Sequence, residues 1–321
     1  KIFTKPTTNL LPGTYPFRFS GTGFPSIQTN FTVGADEIVN SVVYLRLINS
    51  KGNGLAGGVA DYYAGNWPAL GTTNSSGVTL GFIPGLKSTL TFRMAYEGGA
   101  LQKNQNIAVD SFVVYQTKNV AVQLKDSAGA FLGSGDKVQY YTGTWREFGY
   151  TVNGVVSKEL LPLSYPFNIT YAFATQQKDQ NVGTNPTVVF QTTKVAVQLK
   201  DSAGNLFGDG DLVRYYTGTW HDLGTTVAGE ASMELLPLSY PFNITHAFAT
   251  QQKDQNIGSN ANVVFQTVKV IVQLKDSAGN LLGDGDLVRY YSGTWHDLGT
   301  TVAGEASMEL LPLSYPFNIT H

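Results

Sequence analysis

Histidine is the side chain best suited to acid–base chemistry near neutral pH, and the chain contains four histidines. Two of them, His221 and His246, recur unchanged in the next copy of a repeated segment. At the same two positions of the preceding copy, the chain carries Arg146 and Tyr171. A catalytic or metal-binding histidine is rarely replaced in this way in a neighbouring copy, so the pattern favours surface residues over an active site.

An acidic segment offers a second kind of chemistry. Gly208-Asp209-Gly210-Asp211 supplies carboxylate oxygens, which calcium prefers, and the segment recurs at 283–286. The preceding copy has Ser134 in place of the first aspartate. We therefore interpret the segment as a tight turn, with calcium binding as the alternative. We predict no metal ligands, no cofactor and no catalytic residues, because the sequence also contains no nucleophile elbow, phosphate-binding loop or dinucleotide fingerprint.

Asn-x-Ser/Thr sequons mark candidate sites of glycosylation, and a chain this rich in Asn, Ser and Thr contains several by chance. Asn168 is the most informative candidate, because it recurs in later copies and the strand pattern points it outward. A glycan there would shield an edge strand, which would make the chain a glycoprotein; the alternative is that all sites are bare. The candidates are Asn30, Asn74, Asn168, Asn243 and Asn318.

Three tryptophans could form a platform for sugars. Trp145, Trp220 and Trp295 are evenly spaced along the chain, and each follows Gly-Thr. Exposed aromatic side chains would stack on sugar rings. Packing in the core or between repeats is the favoured alternative, since a tryptophan buries a large apolar area.

These residues recur because the chain itself is a tandem array. The segment Val120-Ala121-Val122-Gln123-Leu124 returns at Val195 and again, at the same offset, at Val270. Between 195–246 and 270–321, three of 52 positions differ. Self-similarity at a fixed period, here about 75 residues, is the signature of repeat proteins.

The array is predicted to have five segments. They are a partial repeat with late strands (1–38), a diverged repeat (39–118), two further repeats (119–194 and 195–269) and a partial repeat with early strands (270–321). The two end segments are roughly complementary. The first ten residues lack the apolar core of a signal peptide, so we expect the sequence to begin after processing or to cover part of a longer chain.

Period-2 alternation predicts that each repeat is built of half-buried strands. Val120, Val122 and Leu124 share one face, and the odd positions from Leu161 to Phe173 are all apolar or aromatic. We predict one long strand there, and its prolines indicate an edge strand or a bulge. Short strands separated by turn signals predict a small β-sandwich, and the short linkers predict a stiff rod.

The motifs resemble a known group of modules. Asp201-Ser202-Ala203-Gly204-Asn205, Gly224-Thr225-Thr226-Val227-Ala228-Gly229 and Leu236-Pro237-Leu238-Ser239-Tyr240-Pro241-Phe242 resemble tandem bacterial Ig-like or prealbumin-like modules, including the carboxypeptidase-regulatory-like and collagen-adhesin B-type domains. The resemblance covers all the repeats and implies stalks, adhesins or pilus shafts at cell surfaces. Relatives among adhesins often carry a Lys–Asn isopeptide bond, which we do not expect here because the strand pattern points Lys125 and its copies outward.

Composition narrows the function classes. Charged residues make up 14% of the chain, against about 25% in ordinary soluble domains. The net charge of −2 gives no basic field for nucleic acid. Cysteine is absent, and no run of about 18 apolar residues predicts membrane insertion.

We therefore expect a structural subunit of an extracellular filament or cell-surface stalk rather than an enzyme. Near-identical copies suit a rod, whereas an enzyme needs one specialised site. The expected partner is a second copy of the chain, joined head-to-tail by strand complementation between the ends. The alternative is a multivalent adhesin that binds carbohydrates or a surface.

Overall fold

The structure is a computed structural model that describes residues 13–21, 24–33, 40–85 and 87–321. All regular elements in these residues are strands, which confirms the all-β prediction. Residues 1–12, 22–23 and 34–38 of the predicted 1–38 segment lie outside the described residues. The described part contains β1 (Gly13–Gly21) and β2 (Phe24–Val33), which pair antiparallel.

Three sets of seven strands and one set of five follow. The first set is β3 (Asn40–Ile48), β4 (Val59–Tyr62), β5 (Ala69–Thr72), β6 (Val78–Pro84), β7 (Thr89–Tyr96), β8 (Gly99–Asn106) and β9 (Phe112–Gln116). The second is β10 (Lys118–Lys125), β11 (Lys137–Tyr141), β12 (Trp145–Tyr150), β13 (Val155–Leu160), β14 (Ser164–Tyr171), β15 (Ala174–Asn181) and β16 (Thr187–Gln191). The third is β17 (Thr193–Lys200), β18 (Leu212–Tyr216), β19 (Trp220–Thr225), β20 (Glu230–Leu235), β21 (Ser239–His246), β22 (Ala249–Asn256) and β23 (Asn262–Gln266). The last is β24 (Val268–Gln273), β25 (Leu287–Ser292), β26 (Thr294–Thr300), β27 (Glu305–Leu310) and β28 (Phe317–Thr320).

Each set of seven strands forms two small sheets. In the third set the orders are β20-β17-β23 and β19-β18-β21-β22. Strand β17 pairs antiparallel with β20 and parallel with β23. The first and second sets have the same two orders, so the sequence repeat corresponds to a repeated pair of sheets.

The chain divides into two compact units. The first consists of Lys1–Gln123, Gly133–Ile169 and Gln177–Val189, and the second of Leu124–Leu132, Thr170–Gln176 and Phe190–His321. Their limits do not coincide with the predicted segment boundaries, which stay a prediction. The core of the first unit includes Leu45, Phe92 and Tyr115, and a core cluster of the second includes Val288 and Tyr290.

The alternation in the first strand of each repeat is confirmed. Val120, Val122 and Leu124 are all fully buried. Large aromatic side chains such as Tyr215 and Phe242 are also fully buried. Each buries roughly 150–250 Å², so aromatic burial contributes much of the core of these small repeats.

The prediction of one long strand from Leu161 to Phe173 is wrong. Strand β14 covers Ser164–Tyr171, and Phe173 lies in the turn before β15 with 69% of its surface exposed. A two-residue turn leaves the period-2 pattern unbroken, so alternation cannot reveal it. The edge-strand prediction holds only for the proline part of the strand: β14 and β21 are internal strands of their sheets, but Pro241 is paired with β22 alone. Pro241 lies just before Phe242–Thr245, the stretch of β21 that pairs with β18.

Candidate functional site at the joints between repeats

Consecutive repeats are joined by a single residue. Thr117, Thr192 and Thr267 each separate the last strand of one repeat from the first strand of the next. All three are buried. Each donates its backbone N–H to the carbonyl of the residue that ends the first strand of the upstream repeat, at 2.8–2.9 Å. A linker this short and this well bonded leaves the chain little freedom at the joint.

A glutamate of the downstream repeat binds the upstream repeat through three hydrogen bonds. In the second joint, Ser127 donates its backbone N–H to Glu234 Oε2 at 3.1 Å and its hydroxyl to Glu234 Oε1 at 2.5 Å. The hydroxyl of Thr192 also donates to Glu234 Oε2. Charge-assisted hydrogen bonds are roughly twice as strong as neutral ones, so this carboxylate fixes both the linker and the first hairpin of the upstream repeat.

The same arrangement recurs in the other two joints. The first joint uses Ser50, Thr117 and Glu159, and the third uses Ser202, Thr267 and Glu309. Burial acts to raise the pKa of Glu309, but the hydrogen bonds from Ser202 and Thr267 hold this pKa below its ordinary value. The charged form is therefore the one that the joint selects.

The hairpin between β14 and β15 presents an unusual turn to the next repeat. Its two turn residues, Ala172 and Phe173, have φ angles of 45° and 61°. Turns of this kind prefer Asn-Gly, because the left-handed conformation costs other residues about 1–2 kcal/mol each. Ala247 and Phe248 adopt the same conformation between β21 and β22. Such strain is retained where another contact over-determines the conformation.

The next repeat supplies that contact. The ring of Phe173 stacks on His221 at 4.0 Å with an interplanar angle of 2°, and Phe248 stacks on His296 at 3.8 Å and 3°. The hydroxyl of Tyr215 donates to the carbonyl of Ala172 at 3.3 Å. The turn is thus shaped for docking rather than for the stability of its own hairpin. His221 and His296 are therefore half-buried surface residues that contact the preceding repeat.

The first joint contains a different set of side chains at these positions. Its turn residues are Glu97 and Gly98, and Tyr140 donates its hydroxyl to the Glu97 carbonyl at 2.9 Å. Lys158 forms an ion pair of 3.4 Å with Glu97. A Cβ atom at Gly98 would lie 2.5 Å from Arg146 Nε and from Thr142 Oγ1, so a larger residue here would require the Arg146 side chain to move.

Apolar burial adds to the polar contacts. Leu161 of the 119–194 repeat is fully buried and belongs to the core cluster of the 39–118 repeat. In the third joint the contact runs the other way: Ala247 of the upstream repeat is partly buried and packs against the cluster around Tyr290 of the downstream repeat. Buried apolar area contributes roughly 25 cal/mol per Å², so the first and third joints combine an apolar contact with hydrogen bonds.

His246 makes a further contact in the third joint. Its Nδ1 lies 2.9 Å from Asp211 Oδ1, and its Nε2 lies 3.3 Å from the carbonyl oxygen of Glu309. Burial acts to lower the pKa of His246, but the hydrogen bond and charge of Asp211 raise it above 6.5. Both ring nitrogens face acceptors, so the doubly protonated ring fits. This contact stabilises the joint below pH 6.5 and is lost as the pH rises through the raised pKa.

The acidic segment forms a turn, as predicted. Asp209 accepts a hydrogen bond of 2.5 Å from the backbone N–H of Ala228, and Asp211 accepts from Thr226 and His246. Ser134 replaces Asp209 in the preceding copy and accepts from the Asn153 N–H in the same way. The described residues contain no cluster of three or more side chains suited to a metal ion.

The sequon residues lie in two kinds of environment. Asn30, Asn74 and Asn318 are exposed, whereas Asn168 and Asn243 are half-buried in internal strands of their sheets. Asn243 is paired in register with Arg214 on one side and Gln252 on the other. A glycan at Asn168 or Asn243 would therefore project from the middle of a sheet and not from its edge.

The tryptophans are not part of the core. Trp145, Trp220 and Trp295 are 40%, 38% and 46% exposed. Each packs against a tyrosine of the preceding strand at 5.3–5.5 Å between ring centroids. Tyr63 and Trp67 form the corresponding pair in the diverged repeat at 5.3 Å. The expectation of core packing is wrong for these three tryptophans, each of which belongs to an exposed aromatic pair. In the diverged repeat the Arg93 guanidinium lies 4.3 Å from the centroid of the half-buried Trp67 ring.

The residues of the joints were missed as functional residues in the sequence. The signal was present: Ser127, Thr192 and Glu234 all recur in the next copy of the repeat, although they belong to three different strands or turns. Constancy among copies marked them, but nothing in the sequence showed that they meet across a boundary. Lys125, the lysine considered for an isopeptide bond, lies with its Nζ 5.2 Å from the centroid of the Phe131 ring.

No protein-family model and no curated protein matches the chain. Solved structures do show similarity. The Bacillus anthracis TIE protein is 16% identical with a TM-score of 0.22, and the match covers 80% of this chain and 57% of that one. BcpA, the major pilin subunit of Bacillus cereus, is 12% identical with a TM-score of 0.20, covering 72% and 99%. A streptococcal ancillary pilin is 12% identical with a TM-score of 0.20, covering 71% and 98%.

The chain spans just over half the length of the TIE protein structure. At these identities and TM-scores we base the functional proposal on the residues of the chain itself. Among the described residues, no helix has the length and apolar character needed to cross a membrane.

Proposed function

We propose that the chain is a structural spacer of an extracellular filament or a cell-surface stalk. The observation that carries this proposal is the recurrence of one joint three times. A buried one-residue linker and a carboxylate with three hydrogen bonds connect each pair of consecutive repeats. A spacer needs such joints because a load or a distance is transmitted only if successive modules keep a fixed orientation.

Negative-stain electron microscopy of the purified chain tests the spacer function. Particles of uniform length, alone or joined into filaments, are the expected result. Collapsed or variably bent particles would contradict the proposal. The matched control is a chain with Glu159, Glu234 and Glu309 all changed to Ala, which should bend freely.

Assembly by strand complementation is the finer part of this proposal. Strand β28 pairs with β25 on one side, and the corresponding strand β21 also pairs with β22 on the other side. A strand of the β22 type from a second copy would fill this side of β28, and a continuation of the same chain would fill it equally well. Sedimentation of the full chain separates the two sources. Concentration-dependent oligomers support contact between copies, and a monomer at all concentrations rules it out.

Carbohydrate binding is the second candidate function, and the exposed tyrosine–tryptophan pairs favour it. Four repeats present the same pair, so weak binding at each would add up by avidity. Glycan-array binding that weakens on Trp220→Ala, with the fold unchanged, would support an adhesin. Binding to no glycan would leave the spacer as the better account.

Glycosylation remains a proposal that is separate from both functions. Peptide mass spectrometry of protein from the natural source would show a glycan at Asn168 and Asn243 if these sequons are used. Bare asparagine at both positions would rule out the glycoprotein hypothesis for the recurrent site.

A further inference from the structure

The residues at the joints change together along the chain. Where the upstream turn is Glu97-Gly98, the downstream repeat carries Arg146 and Lys158. Where the turn is Ala172-Phe173, the same two downstream positions carry other residues, namely His221 and Met233. The third joint repeats the second, with Ala247-Phe248 upstream and His296 and Met308 downstream.

The first of these paired changes has a steric cause. The phenylalanines at 173 and 248 need a flat ring opposite them, and histidine supplies one at about the distance of ring contact. An arginine at this position lies beside the turn, since a Cβ at Gly98 would lie 2.5 Å from Arg146 Nε and from Thr142 Oγ1. Arg146 donates a hydrogen bond of 2.8 Å to Thr142, so a phenylalanine in the turn would have to displace the arginine and break this bond. A glycine in the upstream turn is therefore found opposite a downstream arginine, and a phenylalanine is found opposite a histidine.

The second change has an electrostatic cause. Lys158 is paired with Glu97 at 3.4 Å, and its Nζ also lies 5.7 Å from the Tyr140 ring centroid. When alanine replaces the glutamate, a lysine at this position would lose its ion-pair partner on docking and keep only its hydrogen bond of 3.3 Å to the Glu147 carbonyl. An unpaired charge that is partly desolvated destabilises an interface. Methionine is the residue found opposite alanine in both later joints.

We infer that these paired residues form a docking code that determines which repeat follows which. The charged face fits the turn of the 39–118 repeat and excludes the Ala-Phe turn. The aromatic face fits the Ala-Phe turn, and the 195–269 repeat carries both the turn and the matching face. A second copy of that repeat is therefore a fitting partner at either end, whereas the 119–194 repeat fits only after the diverged one. This inference rests on the proposed spacer function and deepens it.

The strained turn supports the code independently. Glycine relieves a left-handed conformation, and the first joint uses it, yet the later joints keep phenylalanine at φ angles of 60° and 61°. A residue chosen for its own hairpin would be glycine or asparagine. Phenylalanine is explained by the histidine of the next repeat.

Two variants of the full-length chain test the code by giving the first joint the residues of the later joints. We call them the half conversion and the full conversion. The half conversion changes the turn alone, Glu97→Ala with Gly98→Phe. The full conversion adds Arg146→His and Lys158→Met. The reporter is hydrogen exchange of the Ser50 amide, which is bonded to Glu159 at 3.1 Å in this joint. The amides of Ser127 and Ser202 make the same bond in the untouched joints and serve as controls.

The half conversion should accelerate exchange at Ser50 by about tenfold, which is a typical coupling for residues in contact. The full conversion should return the rate close to that of the natural chain. Both variants carry the same strained turn, so the difference between them isolates the match. Unchanged exchange in the half conversion, or no recovery in the full conversion, would overturn the code.

A third variant guards against a half conversion that fails to fold. Arg146→His with Lys158→Met changes only the downstream face and leaves the turn with its glycine, so it adds no backbone strain. It should also accelerate exchange at Ser50, and a rate equal to that of the natural chain would overturn the code. The spacer function and the code can fail separately. If microscopy shows bent particles while the full conversion still restores the exchange rate of Ser50, the spacer function is refuted and the code is not.

Discussion

The carboxylate of Glu234 should provide much of the docking free energy of the second joint. Thr192 is only 3% exposed, so its hydrogen bond to the charged group contributes about 1.5–3 kcal/mol. Ser127 is exposed, and its two bonds contribute about 0.5 kcal/mol each because water can replace the carboxylate. Without the carboxylate, the hydroxyl of Thr192 can still donate to the Lys125 carbonyl, which lies 3.3 Å away. The total free energy lost is therefore at the lower end of the sum of these contributions.

Glu234→Ala should therefore weaken the joint by about 2.5–3 kcal/mol, which increases its opening about 70- to 150-fold. The assay is native-state hydrogen exchange at the Thr192 amide, whose own bond goes to the Lys125 carbonyl and not to Glu234. The amide of Thr267 makes the corresponding bond to the Lys200 carbonyl in the unaltered third joint and should exchange as in the natural chain.

A second glutamate of the same strand provides the matched control. Glu230 accepts a hydrogen bond of 2.9 Å from Gln198 within its own repeat, so Glu230→Ala should change exchange at Thr192 by less than about threefold, the range of ordinary surface substitutions. If Glu234→Ala is as mild as Glu230→Ala, the carboxylate does not hold the joint and the reasoning fails.

Two further predictions concern the joints, and a third concerns the acidic segment. The protonated form of His246 stabilises the third joint, so raising the pH through its elevated pKa should accelerate hydrogen exchange at the Ser202 amide of that joint. The Ser127 amide of the second joint has the same neighbours in sequence and is the control, and parallel pH profiles of the two amides would contradict this prediction. Phe173→Gly should relieve about 1 kcal/mol of strain in its hairpin. It should also reduce the ring-current shift of the His221 ring protons in NMR spectra to the part that the Tyr215 ring, 5.4 Å away, produces, and a shift unchanged by the substitution would refute the stack. Thermal melts with calcium and with a chelator should coincide, since the acidic segment is a turn; a higher midpoint with calcium would restore the metal-site alternative.

The sequence predicted the fold because its signals are local. Alternation at Val120, Val122 and Leu124 depends only on neighbouring residues, and the constant offset between copies needs no geometry. The turn at Phe173 escaped because a two-residue turn preserves the odd–even pattern. A histidine that stacks on a ring in the previous repeat looks like any polar residue in sequence. The contact of His221 with Phe173 could therefore not be predicted from local signals.

The joints escaped for a different physical reason. Glu234 and Ser127 lie 107 residues apart, and no local rule of helices, strands or turns relates residues at that separation. Only the paired changes at the joints, such as Gly98 with Arg146 and Phe173 with His221, carried information about contact. These pairs are visible in a single chain because it contains several copies of the same boundary.

A fixed orientation of consecutive repeats at each joint can be measured directly. The chain has no cysteine, so spin labels can be placed at Val227→Cys and Val302→Cys, which are 74% and 70% exposed. Double electron–electron resonance between the two labels should give a single narrow distance distribution that broadens on Glu309→Ala. A broad distribution in the natural joint, unchanged by Glu309→Ala, would contradict the account.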